Sequence, residues 1–500
     1  MLTSKKNIFL AFLAVLAIAF CLNELNINSI RNQTDKSNEF LNKELVFNHT
    51  ILSIDNSWYL PQIHNYIAGK GFTCDTSSAK MGVRRTPVYP LFYGIHYLLF
   101  GEKDSFYFIK ITQTVLFALS AIALLFAVFY LTNNKKIAWI SYLMYGFNPT
   151  LISYTYFTIT ESLSPALICF MLFFFAKSVK YNTFKYWFFT GILFSLASLC
   201  RPTIFIFGGS IAVALIFINI KMLKKMIING LAFGLAVSLF FIPYIIRNYK
   251  ITNGDLVILE KFYNDPMGYG MQNIEFRRWI SSWMNPSDYN SERVSNKMIT
   301  HVQNGGDKSV LLDSLIATIP QRVYLSYDKK TVEEIYLSLY NYYEYKYSNV
   351  LSKNIDSAET NSIQFIRQKT QLFIRENPIR YYMLTPLLFL KSIIVQSNSA
   401  TITYLDNYHT NKVSYLIKLL LILLNVYLFV SLFGNLLYLK KYFLSYIIIA
   451  IFTGINIGYL LFVIKYFEAR YLVPLFPFLY VSGAIFAVET WSRFKHKLHF

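Results

Sequence analysis

The feature that most restricts how this chain can fold is a series of long, nearly uncharged apolar runs. They lie at 111–131, 187–199, 204–220, 227–246, 416–439 and 443–464. About 20 apolar residues carry a helix across the hydrocarbon of a bilayer. Unpaired backbone polar groups are too costly in lipid for an irregular crossing, so helix is the expected form. A membrane barrel would instead show short alternating segments. Hydrophobic residues make up 55% of the chain and charged residues 15%, where soluble domains carry about a quarter charged. The expectation is an all-α polytopic membrane protein.

The net charge of +20 would suggest nucleic acid in a soluble protein. In a membrane protein its commoner source is Lys- and Arg-rich cytoplasmic loops, so no nucleic-acid partner is expected. Those loops also orient the chain. The clusters Lys135-Lys136, Lys177/Lys180/Lys185, Lys221/Lys224/Lys225, Lys440-Lys441 and the tail 493–497 are placed inside. Spans are then expected near 8–22, 106–131, 138–157, 162–179, 187–201, 204–220, 227–247, 414–439, 443–464 and 471–491. That makes about ten crossings (about 9 to 13), with both termini cytoplasmic. The run behind Lys5-Lys6 reads as an uncleaved first helix, although Ala17-Ile18-Ala19 has the form of a signal-peptidase site. The segments 88–100 and 381–395 are short for crossings and read as interfacial or re-entrant helices. Three regions follow: a core at 1–248 with a first outer loop at 23–87, a mixed outer loop or lid domain at 249–380, and C-terminal membrane helices at 381–500. The expected location is a bacterial plasma membrane.

With this sidedness, Asp55, Arg84-Arg85, Glu161, Arg201, Arg247 and Arg470 all fall at or near outer membrane boundaries. Ionisable groups at membrane depth are expensive and tend to mark functional sites, whereas a single charge at a helix end can simply reach into the interface. Several arginines with few acids suit a phosphate, which guanidinium grips with two donors. A carboxylate among them suits a general base. No ATP is available outside the membrane, so a transferase there needs a pre-activated donor. A polyprenyl-phosphate sugar supplies an activated bond, a phosphate leaving group and a lipid tail.

The motifs run in a characteristic order. Asp55-Asn56-Ser57-Trp58-Tyr59 is followed by Ile67-Ala68-Gly69-Lys70-Gly71-Phe72 and Arg85-Thr86-Pro87-Val88-Tyr89-Pro90. Then come Thr160-Glu161-Ser162-Leu163, Cys200-Arg201-Pro202, Pro243-Tyr244-Ile245-Ile246-Arg247-Asn248 and Glu468-Ala469-Arg470-Tyr471-Leu472-Val473-Pro474. This series resembles the GT-C glycosyltransferases, particularly the branch of protein O-mannosyltransferases and lipid A aminoarabinose transferases. It covers residues 1–250 well and the final stretch fairly, and hardly reaches 249–380. The resemblance implies that Asp55 is the catalytic carboxylate and Glu161 a second acid. It also implies that Arg85, with Arg84 adjacent, and Arg201 match basic positions of the family. Inverting transfer from a polyprenyl-phosphate sugar to a glycan, lipid or protein acceptor is implied too. Arg247 and Arg470 complete the set expected around the donor phosphate.

No cofactor is required by this reading. A divalent metal is compatible with it, but nothing indicates one: His49, His64 and His96 lack close ligand spacing, and Asp55 has no neighbouring DxD. The four cysteines, Cys21, Cys74, Cys169 and Cys200, read as free thiols. The Tyr-rich run 336–347 reads as the packed face of a helix. Competing functions are a transporter or flippase of lipid-linked sugars, which would call for polar mid-membrane residues and an inverted repeat, and a polymerase of lipid-linked glycans.

Overall fold

A computed structural model describes residues 4–34, 46–47, 50–51, 55–76, 79–261, 271–283, 291–319, 328–347, 355–396, 412–465 and 469–498. The described residues are overwhelmingly helical, with one two-stranded antiparallel hairpin of β1 (Val46–Phe47) and β2 (Thr50–Ile51). The chain divides into two compact units. One comprises Met1–Lys261, Ile394–Asn456 and Ala469–Phe500, the other Phe262–Ile393 and Ile457–Glu468.

The first unit begins with α1 (Lys5–Thr34), α2 (Asn56–Ile67), α3 (Val88–Thr132), α4 (Lys135–Gly146), α5 (Pro149–Tyr154), α6 (Thr160–Tyr181), α7 (Phe184–Cys200), α8 (Phe207–Asn219) and α9 (Leu223–Ile251). α3 packs on α1, α4 and α6, α6 on α7, and α7 on α9. The α7–α9 approach depends on Gly191, where a Cβ would lie 2.7 Å from both Ala236 Cβ and the Phe233 carbonyl. Turns follow local chemistry. α3 and α6 end on Asn133 and Asn182 in the left-handed region, φ 51° and 49°, a conformation asparagine tolerates better than most residues. Asn134 caps α4 by accepting from the Lys136 and Ile137 amides.

Seven described segments are long and apolar enough to cross a membrane: Lys5–Asn28, Val88–Thr132, Thr160–Tyr181, Pro202–Asn219, Leu223–Ile251, Tyr415–Ile464 and Arg470–Lys495. The difference from about ten has specific causes. The stretch expected as a span at 138–157 breaks where Asn148 caps α5 and Pro149 opens it, since proline favours a helix start over an interior. α7 has 17 residues, short for a crossing. Tyr415–Ile464, at 50 residues, contains both spans expected at 414–439 and 443–464. Their join is a 3-10 turn at Asn435–Tyr438 and a non-helical Tyr442.

The segment 88–100 is set off from the rest of α3 by Gly101 at φ 75°. Its exposed apolar residues Leu91, Ile95, Leu98 and Leu99 fall on one helical face, at i, i+4, i+7 and i+8. The segment 381–395 belongs to a pair, Thr360–Glu376 and Arg380–Val395, bent by 99°.

The basic clusters and the boundary residues lie at opposite ends of alternating helices. The turn after α6 is closed by Asn182, which donates to Asn219 Oδ1 (2.7 Å) and accepts from Asn229 Nδ2 (2.7 Å) and Trp187 Nε1 (3.3 Å). Lys177, Lys180, Lys221 and Lys224 flank it in sequence. Glu161 starts α6, Arg201 follows α7 and Arg247 lies in the last turns of α9.

The described part of the second unit is helical throughout, where a mixed domain was expected. Met271–Trp283, Ser291–Gln303, Lys308–Ala317, Lys329–Tyr347 and Ile355–Glu376 enclose a core that includes Trp279, Trp283, Tyr336, Tyr340, Tyr342 and Tyr343. These tyrosines of the 336–347 run are thus packed inside.

Candidate active site

The first loop is tied to the body of the first unit before it reaches Asp55. The Ile51 amide donates to the Tyr156 carbonyl (2.8 Å), and the Thr158 amide donates to the Ile51 carbonyl (3.3 Å). Asn56 Nδ2, at the start of α2, donates to Thr158 Oγ1 (2.6 Å). The 155–158 stretch is in turn held by Gln113 of α3. Its Nε2 donates to the Thr155 and Phe157 carbonyls (2.7 and 3.1 Å). Its Oε1 accepts from Tyr89 and Ser162 (3.1 and 2.6 Å). This buried amide therefore uses all of its hydrogen-bonding capacity. Thr86 Oγ1 donates to the Cys200 carbonyl (3.3 Å), which sets Arg84-Arg85 beside Arg201.

Asp55 occupies the cap position of α2, yet its side chain makes no capping bond. The carboxylate instead pairs with Arg470 Nη1 and lies 3.6 Å from Arg85 Nη2. Helix capping, the commonplace use of an aspartate here, is not its role. Glu161, 4% exposed, pairs with Arg201 at 2.7 Å and lies 3.8 Å from Arg470 Nε. It also accepts from Thr160 Oγ1 (2.9 Å). Arg201 completes the link by donating to the Arg470 carbonyl (3.2 Å). Five of the seven residues singled out in the sequence, Asp55, Arg85, Glu161, Arg201 and Arg470, thus form one continuous ionic network. Burial works against the charge of Arg201, but the adjoining Glu161 carboxylate outweighs it and holds the guanidinium above its ordinary pKa. Arg85 is held above its ordinary value in the same way, burial being outweighed by Tyr59, Glu260 and Asp55.

Arg84 and Arg247 stand beside this network. The Arg84 guanidinium stacks 3.5 Å from the Trp58 ring centroid, the geometry of a cation–π contact. Arg247 donates to the Phe72 and Gly82 carbonyls and to Asn248 Oδ1. Among the described residues no carboxylate pairs with it, and its donors brace the first loop from α9. Glu468 and His49 lie outside the described residues. His64 bonds to the Tyr93 hydroxyl (2.9 Å), and His96 to the Phe92 carbonyl and Thr112 (2.8 and 2.9 Å). No grouping of three or more His, Cys, Asp or Glu suited to a metal occurs among the described residues. All four cysteines are free.

One member of the network was not singled out in the sequence. Glu260 Oε2 lies 3.8 Å from Arg85 Nη1. It arrives there because the chain turns back after α9. Asn248 Nδ2 donates to the Val257 carbonyl (3.0 Å), the Tyr244 hydroxyl to the Leu259 carbonyl (2.6 Å), and the Lys261 amide to the Val83 carbonyl (3.1 Å). A lone glutamate in a polar loop carries no motif, and only these long-range contacts place it.

Residues 84–246 match the family model described as dolichyl-phosphate-mannose-protein mannosyltransferase, a family of the GT-C superfamily. The match covers about a third of the chain and supports a glycosyltransferase activity of the GT-C type. The matched stretch contains Arg84, Arg85, Glu161 and Arg201 and ends one residue before Arg247. Asp55, Glu260 and Arg470 fall outside it, and ion pairs to Arg85 and Glu161 join their side chains to it. No match was found among curated proteins.

Proposed function

We propose that the chain transfers a sugar from a polyprenyl-phosphate donor to an acceptor on the non-cytoplasmic face of its membrane, with inversion. The observation that carries this reading is an uncapped Asp55 carboxylate held between Arg470 and Arg85 and continuous with the Arg201–Glu161 pair. Asp55 serves as general base. It takes the proton of the acceptor hydroxyl as that oxygen bonds to the anomeric carbon. The bond to the phosphate oxygen breaks at the same time, and its electron pair leaves with the phosphate. A single displacement of this kind inverts the anomeric centre.

Arg85, Arg201 and Arg470 supply fixed donors for the charge that develops on the phosphate, the arrangement worth most in a water-poor site. Glu161 orients Arg201 and Arg470. Arg84 and Arg247 hold the first loop, on which Asp55 lies. The description of the matched family names a lipid-phosphate-linked mannose and a protein acceptor, which supports the donor class. The acceptor here is a glycan, lipid or protein, and the membrane is that of a bacterial cell surface.

Two readouts test this together. Mass spectrometry of surface glycans from cells lacking the chain should show a specific sugar missing. Reporter fusions at Asn133 and Lys224 should read cytoplasmic, and one at Lys70 external. Unchanged glycans, or an external reading at Lys224, contradict the proposal.

A further inference from the structure

The ionic network holds three guanidiniums, Arg85, Arg201 and Arg470, and three carboxylates, Asp55, Glu161 and Glu260. By formal count it is neutral, whereas an anionic donor needs positive charge that is not already matched. The three carboxylates are held unequally. Asp55 and Glu161 each contact two guanidiniums, and Glu161 also accepts from Thr160. Among the described residues Glu260 pairs with Arg85 only, at 3.8 Å, with its side chain 25% exposed. That separation exceeds hydrogen-bond length. Glu260 is therefore the least firmly held of the three carboxylates, and it sits on the guanidinium that also faces Asp55.

We propose that Glu260 is a resting-state counter-ion of Arg85 that the phosphate of the lipid-linked donor displaces, so that it sets donor affinity without taking part in bond making. The inference rests on reading the network as a donor-phosphate site. A competing internal anion lowers apparent affinity by the fraction of molecules in which the site is open.

A pH dependence follows. Glu260 is faced by Arg85 and, further off, Arg201 and Arg84, by the like-charged Asp55, and by the Tyr59 and Tyr244 hydroxyls. Burial pushes its carboxyl above the usual range against the pull of these arginines. Lowering the pH neutralises Glu260, frees Arg85 and strengthens donor binding. A Glu260→Gln chain has lost that response.

The test is binding of a short-chain polyprenyl phosphate to the detergent-solubilised full chain as wild type, Glu260→Gln and Glu260→Asp, across a pH series. Glu260→Gln should bind about three- to tenfold tighter than wild type at high pH. The two should converge as pH falls because the wild-type Glu260 carboxyl takes up a proton, titration of the phosphate itself being common to both. Glu260→Asp, one methylene shorter, should lie between them, and it decides the matter if the glutamine variant does not accumulate. Equal or weaker binding by the variants, or a difference that persists at low pH, overturns the role of Glu260. Absence of polyprenyl-phosphate binding by wild type overturns the donor reading, and this inference with it.

Discussion

Asp55→Asn is expected to abolish sugar transfer while leaving the protein folded and able to hold the lipid donor. A positioned general base contributes about 10²–10⁴-fold in rate, and a carboxamide cannot take the acceptor proton. The substitution is nearly isosteric, so packing around α2 is preserved. The cap position adds no complication, since the Asp55 side chain makes no capping bond. What it does remove is a negative charge between Arg470 and Arg85. Donor binding should therefore be equal or tighter, while turnover falls to near background. Robust transfer by Asp55→Asn would leave Glu161 as the base and end this mechanism. Loss of donor binding together with turnover would assign Asp55 to structure.

The second large effect concerns the Arg201–Glu161 pair, where stability and catalysis separate. Both side chains are nearly buried, 2.7 Å apart. Removing one partner of such a pair strands the other charge and costs about 3–5 kcal/mol. Arg201→Ala leaves Glu161 with Arg470 at 3.8 Å and should melt far below wild type. Replacing both partners with uncharged side chains of similar volume, Arg201→Met with Glu161→Gln, should recover most of the loss. Turnover should not recover if Arg201 serves the leaving phosphate as proposed, since losing such a donor costs on the order of 10²–10³-fold. Thermal melts alongside turnover decide between the roles. A double variant that regains both would make the pair purely structural, and an Arg201→Ala chain as stable as wild type would show that Arg470 and Thr160 suffice to hold the Glu161 charge.

The helical architecture and the membership of the ionic network were largely legible in the sequence. Apolar run length dictates helices in lipid. Charges at the ends of such runs are costly enough that Asp55, Arg85, Glu161, Arg201 and Arg470 stand out. Their pairing was not legible, because it depends on β2 meeting 156–158 and on the Gln113 clamp, both contacts between distant stretches. Arg247 shows the same limit from the other side. It sits at a membrane boundary as a phosphate-binding arginine would, but its neighbours are the Phe72 and Gly82 carbonyls, and backbone acceptors leave no trace in side-chain identity. The division of 138–157 had a signal in Asn148-Pro149, a helix-start pair inside an apolar run, which apolarity alone overrides. Glu260 had none.

The most direct measurement places the purified full chain in liposomes with a polyprenyl-phosphate sugar labelled in the sugar, and follows label and lipid separately. Label should pass to an acceptor, with polyprenyl phosphate appearing in equal amount. Nucleotide-linked sugars should give no transfer, and Asp55→Asn should release neither product. Label that crosses the bilayer still attached to its lipid, or transfer from a nucleotide sugar with the lipid-linked donor inert, would contradict the proposed function.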